Sequence, residues 1–197
     1  MGDVAHHQQP AQHSGTGRIR SILSRVFAVT LLGAMAACTG TGDDSTFAEQ
    51  QELANIKTNN IVPMASGAVL MNTFRAFCLD GDPSVTARTA RLRAAGYVPV
   101  GGWRNGVRRF VTDTSAPMVQ ISDDGGLCGV HARARTGQEA EIRQRIAQWF
   151  PKAQPVASAD PLKTIWTTGR APNEGIGILR NPRGRGHNEI SVALLRP

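Results

Sequence analysis

Three cysteines and five histidines hold most of the reactive chemistry this chain can offer. Cys128 and His131 lie three residues apart, and an imidazole beside a thiol can generate the thiolate of a cysteine nucleophile. Leu127 to Ala132 reads as a strand, however, and strand side chains alternate between faces, so the two are expected to point apart. The chain contains no C-x-x-C, H-E-x-x-H or G-x-S-x-G, the spacings that mark thiol redox enzymes, zinc proteases and serine hydrolases. Asp123 and Asp124 are a carboxylate pair suited to acid-base work or a cation, but Asp-Asp-Gly-Gly between two strand patterns reads first as a tight turn. Gly175-Ile176-Gly177 lacks the further glycine or Gly-Lys-Ser/Thr of a phosphate loop. No catalytic residue, cofactor or metal site is expected from these motifs.

The most distinctive polar stretch is Asn181 to Asn188, where Arg183, Arg185 and His187 sit on glycines. Two guanidinium forks on such a loop suit phosphates or carboxylates, and the competing reading is a solvated hairpin. Trp103, in Gly101-Gly102-Trp103-Arg104-Asn105-Gly106, is the tryptophan most open to a contact role. Net charge is +7; residues 1–37 hold three arginines against one aspartate, which leaves +5 on the rest. Residues 39–70 carry four acids against Lys57, so the remainder reaches +8. That excess fits either an anionic partner or an arginine-rich but merely solvated surface. Nucleic acid is disfavoured, because no aromatic residue is interleaved with these arginines for base stacking and the leader directs the chain out of the cytoplasm.

Arg18, Arg20 and Arg25 precede an uncharged apolar run, Val26 to Ala37, of 12 residues, with Cys38 directly after it. This is the order of a secretory signal peptide, and the run is shorter than the roughly 20 residues a spanning helix needs. Met35-Ala36-Ala37-Cys38 resembles the lipobox of bacterial lipoproteins, whose cysteine thiol receives diacylglycerol and becomes the mature N-terminus. Ala34-Met35-Ala36 reads equally as an A-x-A cleavage site for plain secretion. His6, His7 and His13 fall within this leader and read as discarded sequence rather than metal ligands. If Cys38 is acylated, Cys78 and Cys128 form an even set in an oxidising compartment and are expected to be bonded.

Residues 38–67 are small and polar and read as a flexible tether, with Thr46 and Glu49 able to cap one short helix. A single globular domain is expected over 68–197. Leu70, Phe74, Phe77 and Cys78 share a helical face; Asp82 and Pro83 read as the cap and first residue of a second helix whose Arg88, Arg91 and Arg93 point away from its apolar side. Strands are expected over 97–100, 107–112, 118–122 and 127–132. A helix capped by Thr136 and Glu139 follows, with Glu139 and Arg143 paired, and then strands over 162–168, 176–180 and 189–196. This order favours an α+β fold, an antiparallel sheet with helices packed on one face, and it reads as two α-β-β-β halves. Hairpin-length connections exclude a parallel sheet.

The leader, Phe74-Arg75-Ala76-Phe77-Cys78-Leu79, the helix end Ala94-Ala95-Gly96-Tyr97, and Cys128-Gly129-Val130 before an amphipathic helix together resemble a family of small, uncharacterised proteobacterial secreted proteins and lipoproteins. The resemblance spans about residues 71–150 and implies a paired-cysteine periplasmic domain of unknown activity, with no catalytic residues to carry over. The expected protein is an envelope component, membrane-attached through a lipid on Cys38, that binds anionic envelope material or another envelope protein. An envelope enzyme is the alternative. Metabolic labelling with a palmitate analogue is expected to mark the wild type and not Cys38→Ala; an unlabelled wild type removes the lipid anchor.

Overall fold

The computed structural model describes residues 45–182 and 188–196. Eight strands form one antiparallel sheet: β1 (Val98–Pro99), β2 (Val107–Val111), β3 (Met118–Ser122), β4 (Leu127–Arg133), β5 (Gln154–Val156), β6 (Lys163–Thr167), β7 (Gly175–Asn181) and β8 (Glu189–Leu195). Their order across the sheet is β1-β2-β3-β4-β8-β7-β6-β5, two four-stranded meanders joined where β4 pairs with β8. The helices are α1 (Phe47–Asn55), α2 (Thr58–Ile61), α3 (Gly67–Phe74), α4 (Val85–Ala94) and α5 (Gln138–Trp149). The α+β class and the antiparallel sheet agree with the sequence reading. Each half is a helix followed by four strands, α4 with β1 to β4 and α5 with β5 to β8.

The strand that the sequence hid is β5. Its three exposed residues include Pro155 and carry no inward alternation, and the segment reads as a Pro- and Ala-rich connector. It becomes an edge strand because Gln154 and Val156 register with Thr167 and Ile165 of β6, and an edge tolerates proline's missing donor.

Alternation builds the core. Phe110, Val119, Ile121, Cys128, Val130, Ile176, Ile178, Val192 and Leu194 project from one sheet face onto Leu70, Met71 and Phe74 of α3, Leu92 of α4, and Ile142 and Ile146 of α5. Ser66 caps α3 by accepting the Val69 N–H at 3.2 Å. Gly67 lets α3 start hard against α5, since a Cβ there would stand 2.9 Å from that of Glu141. α3 runs on into a π-helical turn, Arg75–Leu79, whose Asp80 N–H reaches back five residues to the Arg75 carbonyl at 2.9 Å. The wider turn carries Cys78 to the sheet, where it is bonded to Cys128 with Cα atoms 5.4 Å apart. The pairing expected from cysteine parity is therefore present.

Three local expectations are corrected. Ser84, not Asp82, caps α4, accepting the Ala87 N–H at 3.3 Å, while Asp82 accepts the Ser84 N–H in a turn just before it. At α5 the N-cap is Gly137, in a left-handed conformation at φ 78°, and no Thr136 box forms. Gln138 fills that role from inside, taking the Arg135 N–H at 2.9 Å and donating to the Ala65 carbonyl at 2.9 Å, which frees Glu139 for other partners. The described part of the tether, residues 45–67, is folded. The Thr46/Glu49 capping box forms on α1, Glu49 is gripped by Arg93 at 2.6 Å, and Ile56 packs with Val98, Val111 and Met118 on the sheet face opposite the main core. Few apolar residues are needed there, because β1 to β3 offer only a small corner patch to cover.

The disulfide closes a loop over a sequence separation of 50, for which chain entropy gives about 4 kcal/mol. Cys78→Ala with Cys128→Ala is expected to lower unfolding stability by about 2–5 kcal/mol in urea melts, and a loss below about 1 kcal/mol would show that the bond adds nothing to the packing around it.

Candidate functional site

Both ends of the sheet carry arginine, and the topology decides which residues meet. Ends of β2, β4, β5 and β7 lie together with the starts of β1, β3, β6 and β8; the β1–β2 loop, the β3–β4 turn and the β6–β7 loop lie at the opposite end. Cys38, Arg183, Arg185 and His187 fall outside the described residues, and the strands flanking 183–187 end at the first of these two ends. Trp103 stands in the β1–β2 loop at the other. It is half-buried against the core, with the Arg108 guanidinium 5.9 Å from its ring, at the sheet end opposite to the one where β7 ends and β8 begins. Asp124 takes the Gly126 N–H at 2.8 Å and the Ser122 hydroxyl, as a turn residue does. Cys128 is spent in the disulfide, and His131 is on the opposite face of β4.

At the β7–β8 loop end, a cleft of about 660 Å³ opens between the first turns of α5 and the end of β7. Arg135, Arg143, Arg180 and Asn188 line it, with Glu139 as its one carboxylate among the described residues. Glu139 sits between two guanidiniums: Arg143 donates to one oxygen at 2.6 and 2.9 Å, and Arg180 Nε donates to the other at 2.5 Å. The i,i+4 pair with Arg143 is as the sequence implies; Arg180, from 41 residues away, is not legible there. Arg143 also donates to Thr164 at 3.0 Å and lies 5.3 Å over the Trp166 ring, on the wall of a second hollow of about 270 Å³.

Burial pushes the Glu139 carboxyl up, but the hydrogen bonds and charges of Arg143 and Arg180 outweigh it and hold the carboxyl below its usual value. These ion pairs therefore support the fold above the ordinary carboxylate range and are lost as pH falls through the lower folded value. With Glu139 ionised, three guanidiniums face one carboxylate, so the cleft is net positive.

A second polar cluster lies on the sheet face away from the main core. His131 of β4 stands opposite Ser191 of β8, and its Nδ1 contacts the Ser191 hydroxyl while Nε2 is 3.0 Å from Glu189. Both contacts suit the tautomer protonated at Nε2, with the Ser191 hydroxyl donating to Nδ1 and Nε2–H donating to the carboxylate. Asn181 donates to the same Glu189 oxygen at 3.3 Å. Chemically this is a serine, base and acid in line. Structurally it is a set of cross-strand neighbours, and Ser191 is only 6% exposed in mid-strand. The sequence marks His131 only as a possible base beside Cys128; Ser191 and Glu189 join it only once β4 is known to pair with β8.

Fold and sites together define an α+β protein with an arginine-lined cleft at one end of an antiparallel sheet. No protein-family model, curated protein or solved structure matches the chain.

Because Ser191 is buried and bonded, it is expected to act in holding the sheet together. Ser191→Ala should cost about 1–3 kcal/mol in thermal or urea unfolding by leaving the His131 nitrogen without its donor. A fluorophosphonate probe should leave the wild type unlabelled, and stoichiometric labelling at Ser191 would make the cluster a hydrolytic site.

Proposed function

We propose that the mature protein is a lipid-anchored component of the bacterial cell envelope that binds an acidic partner, such as lipid headgroups or acidic glycan, through the cleft beside α5 together with Arg183 and Arg185. The observation that carries this reading is the charge balance in the cleft: Arg135, Arg143 and Arg180 against Glu139 alone. The guanidinium forks of Arg143 and Arg180 are already oriented by Glu139, so less side-chain freedom is lost when an oxyanion arrives. Arg135, with an exposed side chain, supplies the long-range attraction. The export leader and the resemblance to secreted proteins and lipoproteins support an envelope partner, with Cys38 as the membrane attachment.

A hydrolytic enzyme is the second reading, and it rests on the His131, Ser191 and Glu189 line. The burial of Ser191 weighs against it, since an attacking oxygen must be reachable from the substrate side.

Binding to vesicles with and without phosphatidylglycerol tests the first reading. Arg135→Ala with Arg180→Ala removes two cationic groups, each worth about 1 kcal/mol near an anionic surface, so affinity should fall roughly 30-fold at low salt. Arg183→Ala with Arg185→Ala should weaken binding similarly, and neither pair should change stability by more than about 1 kcal/mol. Binding that survives both double substitutions and high salt would end the proposal.

A further inference from the structure

A third group of arginines lies at the opposite end of the sheet. Arg88, on α4, is 1% exposed and heads the fully buried side chains by volume. Its Nε and Nη1 atoms are buried and have no hydrogen-bond partner among the described residues. Arg91, three residues on and so on the same helical face, donates from Nη1 to the Asp82 carbonyl at 2.9 Å, but its buried Nε is also without a partner. Sequence reading turned both away from the apolar side of α4; the structure instead buries Arg88 fully and Arg91 in part.

Two further elements converge on this place. The β3–β4 turn meets the start of α4, where a Cβ on Gly125 would stand 3.6 Å from the Pro83 carbonyl oxygen and 3.7 Å from Val85. The same turn holds Arg196, whose N–H donates to the Gly126 carbonyl at 2.7 Å. Burial first, then the charges of Arg196 and Arg91, pull the Arg88 guanidinium down to about 10, and Asp82 offsets this only in part. The carboxylates nearby are committed. Glu174, 3% exposed, holds the Thr168 hydroxyl at 2.6 Å, Arg196 at 3.0 Å and Arg170 at 3.2 Å. Asp82 serves the Ser84 N–H, and Asp124 its own turn.

Arg108 shows how this fold covers most of a buried guanidinium by itself, though its Nε is also buried without a hydrogen bond among the described residues. It is equally buried, yet it lies 5.8 Å over the Phe110 ring and 5.9 Å over Trp103 and donates to the Ser45 hydroxyl at 3.1 Å. Arg88 has no such arrangement. Leaving donors of a buried cation unmet costs several kcal/mol, and the group that removes that cost is an anion with more than one acceptor oxygen.

We propose that Arg88, Arg91 and Arg196 form a binding site for a small oxyanion, a phosphate or carboxylate group, between α4, the β3–β4 turn and the end of β8. The site is separate from the cleft beside α5. Thermal melting of the full chain at constant ionic strength, with chloride replaced by inorganic phosphate or by acetate, tests it. The wild type should show a saturable rise in Tm with at least one anion: phosphate alone identifies a phosphoryl ligand, acetate alone a carboxylate. Arg88→Met should melt in chloride at or above the wild-type temperature and lose the saturable response, keeping only the general, non-saturating stabilisation that phosphate gives any protein. Arg135→Ala with Arg180→Ala should keep the full response, so failure of this site and failure of the cleft read out separately. Should Arg88→Met not fold, the Arg88 Nε–H resonance of the wild type must still shift on anion addition. No saturable response in the wild type, a response intact in Arg88→Met, an unmoved resonance, or a response lost in the cleft variant would overturn the proposal.

Discussion

The pairing of β4 with β8 is the constraint on which the other features hang. Residues 127–133 and 189–195 register over seven positions, and every other pairing in the sheet lies within one meander or the other. One face of the seam is apolar, with Cys128 opposite Leu194, Val130 opposite Val192 and Ala132 opposite Ile190. The other carries His131 opposite Ser191 and Arg133 opposite Glu189. A slip of β8 by one residue would turn that strand over, setting Val192 on the polar side and Ser191 in the core, so the register is held from both faces at once. The seam continues past the strands: Ala134 N–H donates to Asn188 at 2.8 Å at one end, and Arg196 N–H to Gly126 at 2.7 Å at the other. Those closing bonds position Asn188 in the arginine-lined cleft and Arg196 beside Arg88. Two candidate anion sites thus stand at the two ends of one strand pair, each built from residues of both halves.

Helix placement follows from the same strand pair. Cys128 belongs to β4, so the disulfide ties the π-helical turn after α3 directly to the seam. α3 in turn meets α5 at Gly67, and α5 presents Glu139 to Arg180 of β7. A chain of contacts therefore runs from the covalent link, through two helices, to the carboxylate that orients the cleft. The apolar steps of that chain cost little to form because the residues were already committed to the core. The polar step at the end is the one that can respond to a ligand, since Glu139 is shared between two guanidiniums and either can turn to a new acceptor.

Where one residue's pattern decided the outcome, the sequence was legible. β3 occupies the residues its alternation implies, β4 and β8 agree to within a residue, and cysteine parity anticipated the Cys78 to Cys128 bond. The misreadings share a different origin. β5 is a strand because β6 offers it an edge, α1 and α2 are ordered by a corner patch and by Arg93, and Gly137 displaces Thr136 as cap because Gln138 satisfies the turn from within. In each case a partner distant in the chain outweighed local propensity. The sites fared the same way. His131 was visible as a candidate, but Ser191, Arg180 and Arg196 carry no local signature and gain their meaning from neighbours across the sheet.

Arginine placement, rather than arginine content, is what bears on function. A globular part near +8 is compatible with a solvated basic surface, and net charge alone does not separate that from an anion-binding protein. The structure sorts the arginines by what desolvation costs them. Arg75 and Arg93 form exposed or half-exposed ion pairs, which contribute little and need no ligand to explain them. Arg108 is buried but covered by aromatic faces and a hydroxyl. Arg143 and Arg180 are held by a carboxylate at the mouth of an open cleft, oriented and still reachable. Arg88 is fully buried with both Nε and Nη1 unmet among the described residues, a placement that core packing would fill better with methionine or leucine. Solvation explains the first class and aromatic packing the second. The last two are the arrangements on which the proposals of anion binding rest.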